Sequence, residues 1–198
     1  MDPGPLRRSN APPLILASTS RYRRALLERL GWPFRVVAPN VQEEQRAGEQ
    51  PREHCARLAC EKAQAVLRVH PEAVVIGSDQ VLDLDGEAIS KPGDFSTALD
   101  QLRRCRGRKL RCHTAVCVAS RTGSEVAVVP TEIVYRNLTD EELIAYLERE
   151  QPFDAAGAVK VETAGIKLLA RVTSDDPTAL VGLPLIRLCD LLAPYGYR

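Results

Sequence analysis

Residues 74–89 read VVIGSDQVLDLDGEAI, and the fold class follows from this stretch. Its apolar and β-branched residues predict a buried strand from Ala73 to Leu84. Asp85 and Gly86 are a pair typical of two-residue hairpin turns, so a second strand is expected directly after them. Because a hairpin joins antiparallel strands, the sheet that contains it cannot be wholly parallel.

Predicted helices and strands alternate on both sides of this hairpin. Helices are predicted over residues 21–30, 51–69, 94–105, 139–150 and 184–192, and further strands over 14–17, 34–38, 112–119, 125–136 and 166–172. This order predicts an α/β or mixed α+β sheet with helices on its faces. Residues 1–12 are rich in Pro, Gly, Ser and Asn and are predicted to be a flexible tail. Residues 13–198 are long enough for one domain.

The composition argues against several classes of protein. A formal net charge of +1 is unlike that of a general nucleic-acid coat. No apolar run approaches the ~20 residues that a membrane span needs, and no apolar segment near the N-terminus could act as a secretory signal. The six cysteines contain no Cys-x-x-Cys pair and the three histidines complete no zinc-finger spacing. Free thiols in a reducing cytoplasm are therefore predicted.

A candidate anion site follows the first predicted strand, in residues 14–24, which read LILASTSRYRR. Ser18, Thr19 and Ser20 precede a helix start, where hydroxyls and free backbone N–H groups can bind an anion. Arginines oppose the helix dipole at this end unless an anion lies there, and their fork-shaped donors suit phosphate. The alternative is an ordinary helix cap with solvated arginines. Glycine-rich P-loop and dinucleotide patterns are absent.

Asp79 is the second candidate, because it lies inside the most apolar predicted strand. A buried carboxylate is costly unless it is paired or binds a metal. Gly77 and Ser78, just ahead of it, are expected to leave room for a ligand. Lys91 is fixed in extended backbone by the following proline and could reach the same cleft. The alternatives are an arginine partner for Asp79 and an ordinary surface position for Lys91.

The candidate residues together suit phosphate chemistry. Glu43, in a charged loop, and Lys62, beside the apolar face of its helix, do not stand out alone. Carboxylates without a metal-ligating histidine suit magnesium or manganese that is bridged to phosphates. Lysine and arginine neutralise the charge of a transferring phosphoryl group. The reaction that fits is attack of water on a nucleotide phosphorus.

Five motifs follow one another from about Leu14 to Leu192. They are LASTSRYRRALLERLG, LACEKAQAV, VVIGSDQVLDLDGEAISKP, DAAGAVKVETAGIKLL and LVGLPLIRLCDLL. In order and spacing they resemble the motifs of the Maf family of nucleoside triphosphate pyrophosphatases. The resemblance implies an elongated, twisted mixed sheet of the Maf/ITPase-like type, in two lobes with a central cleft.

The resemblance also implies catalytic roles. Asp79 would be the proton acceptor that orients the attacking water, and Glu43 would join it in holding a divalent cation, Mg²⁺ or Mn²⁺. Lys62 and Lys91 would stabilise charge on the phosphates. Gln42 departs from the family pattern, which commonly has an aspartate just before Glu43, so one carboxylate beside the expected metal site is missing.

Further residues are expected to bind the substrate. By the resemblance, Ser18 and Arg23 would bind phosphates at the helix start. Tyr22, Gln80 and Glu162 are similar to the branch of the family that hydrolyses 7-methyl-GTP, whereas the dTTP/UTP branch typically has arginine, threonine and glutamine there. Tyr22 could stack on the positively charged ring of 7-methylguanine. Glu162 could accept hydrogen bonds from N1 and N2 of the base, and Gln80 could orient the base or nearby side chains.

The predicted protein is therefore a cytoplasmic hydrolase that converts 7-methyl-GTP to 7-methyl-GMP and pyrophosphate and so clears modified nucleotides. We expect a nucleotide substrate, no membrane, no stable nucleic-acid partner and, from the family resemblance, a homodimer. One alternative is a dTTP or UTP pyrophosphatase of the same family. Another is a non-enzymatic protein that binds nucleic acid or a septation partner, but this leaves Asp79 without a purpose, because a carboxylate repels phosphates unless a metal intervenes.

Overall fold

The computed structural model describes residues 11–198, which form one seven-stranded sheet with helices on its faces. The strands are β1 (Leu14–Ala17), β2 (Arg35–Val37), β3 (Val74–Leu84), β4 (Glu87–Ile89), β5 (Lys109–Ser120), β6 (Gly123–Tyr135) and β7 (Leu169–Ser174). The α-helices are α1 (Arg21–Glu28), α2 (Pro51–Leu67), α3 (Phe95–Cys105), α4 (Asp140–Glu150) and α5 (Leu185–Leu192).

The sheet is mixed, as the hairpin predicted. Its strand order is β2-β1-β3-β5-β6-β7, with β4 paired to β3. β1 is parallel to both β2 and β3, and the remaining pairs are antiparallel. The turn between β3 and β4 has φ of 53° at Asp85 and 88° at Gly86. Two successive positive φ angles are the conformation in which a two-residue turn matches the twist of a hairpin.

One edge of β3 is interrupted, and this gap positions the site. β1 pairs with residues 74–77 and β4 pairs with residues 82–84, while β5 pairs along the opposite edge. Among residues 11–198, no strand therefore pairs with residues 78–81 on the β1 and β4 side. Strands β1 and β4 both end at this gap, so the segments that follow them begin there. Because side chains alternate along a strand, Asp79 and Gln80 lie on opposite faces of the sheet yet both reach the gap.

Helix α2 packs directly on β3 at Gly77. A Cβ atom on Gly77 would lie 2.1 Å from the carbonyl oxygen of Ala59 and 2.6 Å from the backbone nitrogen of Ala63. Ser78 is fully buried, and its hydroxyl donates to the carbonyl oxygens of Ala115 and Gly182 at 2.8 and 2.9 Å. The expectation that Gly77 and Ser78 leave room for a ligand is therefore wrong, because a helix and a loop fill that space.

Each half of the sheet has its own core, which gives the two lobes that the resemblance implied. At the β1 end, α1 and α5 cover one face and α2 covers the other, around buried residues such as Leu16, Leu188 and Ala59. At the β4 end, α3 and α4 cover the sheet through Leu102 and Leu147. The gap in the β3 edge lies between these two cores.

Most predicted elements are confirmed within a few residues, but the last strand begins at Leu169 rather than at residue 166. The preceding Ala164–Leu168 forms a short 3-10 turn instead. Gly165 causes this, because its backbone nitrogen donates to the Lys160 carbonyl at 3.0 Å and a Cβ atom there would lie 2.5 Å from that oxygen. The chain folds back on itself where the sequence pattern predicts an extended strand.

The first described residues pack against the C-terminal segment beside α5. Residues 1–10 of the predicted tail lie outside the described residues, whereas Ala11 is buried and the Tyr197 hydroxyl donates to the carbonyl of Pro12. All six cysteines are free, as predicted. Across residues 11–198, no helix is both long and apolar enough to cross a membrane.

Candidate active site

A cavity of about 910 Å³ opens at the gap in β3. Every residue that the sequence analysis assigned to the site lines it: Ser18, Tyr22, Arg23, Glu43, Lys62, Asp79, Gln80, Lys91 and Glu162. These residues come from segments as far apart in the chain as the end of β1 and the loop before β7. The fold therefore brings the predicted cations and carboxylates to one cavity.

Two carboxylates meet at one buried ammonium group. The Nζ atom of Lys62 lies 2.6 Å from Oδ1 of Asp79 and 2.6 Å from Oε1 of Glu43. Lys62 and Asp79 are 4% and 7% exposed, whereas Glu43 reaches them from an exposed loop. Burial of both charges is tolerated because each has an opposite charge within hydrogen-bond distance. The alternative of an arginine partner for Asp79 is wrong, since its partner is a lysine.

The same two carboxylates are the metal ligands that the resemblance implies. Within residues 11–198, no group of three or more His, Cys, Asp and Glu side chains is placed to hold a metal ion. Magnesium is commonly bound through only one or two carboxylates together with substrate phosphates. Glu43 and Asp79 already share one cation, the Lys62 ammonium group, so their donor set fits this mode.

Positive charge in the cavity lowers the pKa of Glu43. Partial burial opposes its ionisation, but the hydrogen bond from Lys62 and the charges of Lys62, Lys91 and Arg23 outweigh that effect. They hold the pKa of Glu43 below its ordinary value. Glu43 is therefore ionised at neutral pH, in the form that a divalent cation needs.

The loop that carries Glu43 is attached to α2 by Arg57, which the sequence analysis missed. Arg57 donates to the carbonyl of Glu44 at 3.0 Å and forms an ion pair with Glu49 at 2.6 Å. The hydrogen bond from Arg57 is the main cause of a strongly lowered pKa at Glu49. Arginine and glutamate on a charged helix and loop carry no distinctive pattern, so no sequence signal could have identified this attachment.

The start of α1 combines an ordinary helix N-cap with the residues that are expected to bind phosphate. Ser20 is the N-cap, and its hydroxyl accepts from the backbone nitrogen of Arg23 at 3.4 Å. Ser18, which is buried, accepts from the backbone nitrogen of Ser20 at 3.1 Å. The Arg23 side chain is fixed through Nε, which donates to the carbonyl of Gly182 at 2.9 Å. Within residues 11–198, no hydrogen bond or ion pair engages its two terminal amino groups.

Lys91 lies at the exposed rim of the cavity on the segment that follows β4. This segment is fixed through the carbonyl of Ser90, which accepts from Gln101 Nε2 at 3.1 Å and from the backbone nitrogen of Gly157 at 3.4 Å. The segment before β7 and helix α3 thus fix the backbone beside Lys91, whose charge acts on Glu43 together with those of Lys62 and Arg23. The alternative of an ordinary surface position for Lys91 is correct in that its side chain is exposed, and the same residue also lines the cavity.

Tyr22 and Glu162 line the same cavity, near two cations that were not among the predicted site residues, Arg21 and Lys160. The guanidinium of Arg21 lies 4.8 Å from the centre of the Tyr22 ring and donates to its hydroxyl at 2.7 Å. Partial burial raises the pKa of Glu162, against the opposing charges of Arg21 and Lys160. Lys160 is itself paired with Asp154 at 2.7 Å.

The profile of the Maf-like protein family matches residues 13–195. The chain belongs to the Maf family. The match includes every Maf motif quoted above and all nine residues predicted for the site.

Two similar Maf relatives carry the name 7-methyl-GTP pyrophosphatase. The one from Cupriavidus pinatubonensis is 53% identical over 188 residues, which cover 94% of each chain. The one from Bordetella avium is 50% identical over 185 residues, which cover 93% of this chain and 94% of that one. Among solved structures, the Staphylococcus aureus Ham1 protein superposes with a TM-score of 0.47 at 14% identity, over 63% of this chain and 72% of that chain.

Proposed function

We propose that this Maf protein is a pyrophosphatase that hydrolyses 7-methyl-GTP to 7-methyl-GMP and pyrophosphate. The observation that carries the proposal is one cavity with two kinds of residue. The cations Lys62, Lys91 and Arg23 act together on Glu43, whereas Glu162, a carboxylate suited to a cationic base, lies near Arg21 and Lys160 in the same cavity. The two relatives named 7-methyl-GTP pyrophosphatase, each about half identical over nearly the whole chain, support the same substrate.

The buried carboxylate of Asp79 is the proposed proton acceptor. A water molecule next to it attacks the α-phosphorus, Asp79 takes the proton, and the bond from the α-phosphorus to the bridging oxygen breaks. The electron pair of that bond leaves with pyrophosphate. Lys62 holds the Asp79 carboxylate in place by direct contact, and Arg23 and Lys91 neutralise charge on the phosphates.

Glu43 and Asp79 are the residues that we propose to hold a divalent cation. When bound, Mg²⁺ or Mn²⁺ would neutralise phosphate charge and favour departure of pyrophosphate. Gln42 supplies no charge here, so the donors that we propose from the protein are these two carboxylates. Lys62 contacts one oxygen of each carboxylate and keeps both at the cavity.

The base is proposed to bind near Tyr22 and Glu162. The guanidinium of Arg21 lies over one face of the Tyr22 ring, so a positively charged 7-methylguanine ring would stack on the other face. Partial burial raises the pKa of Glu162, so a positive charge bound beside it would favour its charged form. A cationic base adds the missing positive charge and the N–H donors that a carboxylate accepts.

Pyrophosphate release from a panel of 7-methyl-GTP, GTP, UTP and dTTP tests the proposal. With Mg²⁺ present, we expect the highest kcat/KM on 7-methyl-GTP, with 7-methyl-GMP as the second product, and loss of release in EDTA. A preference for UTP or dTTP would replace the proposal with the other specificity of the family. No release from any nucleotide, together with salt-dependent RNA binding, would favour a non-enzymatic protein.

Replacing Glu162 with glutamine is expected to lower kcat/KM on 7-methyl-GTP about 10-fold, while activity on UTP changes less. The expected size is that of one hydrogen bond to a charged group. Glu148→Gln, on the exposed face of α4, is the matched control and should leave both substrates unchanged. Equal losses on 7-methyl-GTP and UTP would contradict a role for Glu162 in recognising the base.

We also propose that the protein acts in the cytoplasm as a homodimer. The proposal rests on the family resemblance and on the cytoplasmic location of nucleotide pools. Light scattering that gives twice the chain mass in solution would support the dimer, and the mass of a single chain would contradict it.

A further inference from the structure

The side-chain amide of Gln80 is held by three hydrogen-bond acceptors. Its Nε2 atom lies 3.1 Å from Oγ1 of Thr114, 3.0 Å from the carbonyl oxygen of Ala179 and 3.0 Å from that of Leu180. A backbone carbonyl can only accept a hydrogen bond, so the atom facing two of them must be the amide nitrogen. The direction of the Gln80 amide is thus determined by its surroundings.

Thr114 completes this arrangement from the neighbouring strand. It is fully buried on β5, directly opposite Gln80 in the β3–β5 register, and it does not line the cavity. Its hydroxyl donates to the carbonyl of Ala179 at 2.8 Å, which leaves its oxygen lone pairs free to accept from Gln80. One hydroxyl therefore links β5, β3 and the segment around Ala179.

The two carbonyl acceptors are positioned independently of Gln80. Asp176, 1% exposed, accepts from the backbone nitrogens of Thr178 and Ile186 at 3.0 and 2.7 Å. Ser78 and Arg23 both donate to the carbonyl of Gly182 at 2.9 Å. The segment of residues 179–182 is fixed at both ends, so Gln80 adjusts to it rather than the reverse.

The consequence is that Gln80 has only its amide oxygen left for a substrate. The hydrogen bonds from the Gln80 side chain to Thr114, Ala179 and Leu180 all use Nε2, while Gln80 itself lines the cavity. Glu162, across the same cavity, is also an acceptor. Two acceptors match the adjacent N1 and N2 donors of a guanine-type base. Uracil and thymine offer one N–H donor between two carbonyl acceptors. The oxygens of Gln80 and Glu162 would repel those two carbonyls.

We propose that Thr114 is a positioning residue for base selection, which fixes the Gln80 amide so that its oxygen faces the base. This rests on the proposed function, because the advantage over UTP exists only for a base with guanine-type donors. Thr114 does not line the cavity, and its contact with Gln80 is the route by which we expect it to act on the base.

A double-mutant cycle tests this assignment. The variants are Thr114→Val, Gln80→Met and both together, each assayed for kcat/KM on 7-methyl-GTP and UTP. We expect Thr114→Val to lower the ratio of the two kcat/KM values about 3- to 10-fold, the effect of one hydrogen bond, chiefly through KM for 7-methyl-GTP. In the Gln80→Met background it should cause no further change, because the side chain it positions is gone. Thr114→Ser keeps the hydroxyl and should keep the ratio.

Two results would overturn the assignment: an unchanged ratio in Thr114→Val, or the same drop with and without Gln80. Thr131→Val removes another fully buried strand hydroxyl, which donates to Ser174, and is the matched control for lost stability. The proposed function is judged separately, from the wild-type panel. If the wild type prefers another nucleotide, the same cycle with that nucleotide still tests whether Thr114 acts through Gln80.

Discussion

Replacing Asp79 with asparagine is expected to lower kcat for pyrophosphate release by about 100- to 10,000-fold, the usual contribution of a general base. Asparagine has nearly the same shape but cannot accept the proton of the attacking water. Lys62 keeps its contact with Glu43 at 2.6 Å, so the ammonium group is not left unpaired. The measurement is pyrophosphate release under saturating 7-methyl-GTP with Mg²⁺, alongside nucleotide binding by calorimetry.

The matched control for this variant is Asp83→Asn on the same strand. Asp83 accepts from the backbone nitrogen of Gly86 at 2.7 Å and contacts His113, and it does not line the cavity. It should therefore affect stability without removing catalysis. An Asp79→Asn protein that retains more than about a tenth of the wild-type kcat would show that another group accepts the proton.

Replacing Gly77 with alanine is expected to lower the free energy of unfolding by about 3 kcal/mol or more, the upper range for overpacking. The added methyl would lie 2.1 Å from the Ala59 carbonyl oxygen and 2.6 Å from the Ala63 backbone nitrogen. Neither atom belongs to a flexible side chain, so helix α2 must move away from β3. Because α2 also carries Lys62, we expect kcat to fall in the protein that remains folded.

Urea unfolding monitored by circular dichroism measures the effect of Gly77→Ala. Gln64→Ala, on the exposed face of α2, is the control that shows whether the helix tolerates a substitution. If the unfolding midpoint of Gly77→Ala equals that of the wild type, the close approach of α2 to β3 is not as described.

The hairpin could be predicted because its signals are local. The alternation of strand and turn residues in 74–89 specifies two strands and the turn between them without help from the rest of the chain. The close contact at Gly77 could not be predicted, because its partners Ala59 and Ala63 belong to another element. A glycine in a strand indicates either space or close approach, and only the tertiary structure distinguishes them.

The site was predictable to the extent that its residues belong to sequence motifs that follow one another in the order typical of the Maf family. Asp79 stood out as a carboxylate in an apolar strand, and the motifs supplied Lys62 and Glu43. Arg57 and Thr114 were missed for a physical reason. Their contacts join separate segments, and the fold alone brings those partners together, so no local pattern in the sequence displays them.

The interrupted edge of β3 has a mechanical consequence. The opposite edge pairs with β5 without a break from Val75 to Asp83, straight past the opening. A ladder of this kind bends and twists but has no point of rotation, so the two cores cannot swing apart like domains on a linker. The two cores on either side of the cavity are held at a nearly constant separation. Selection among nucleotides must therefore come from which nucleotide fits between them.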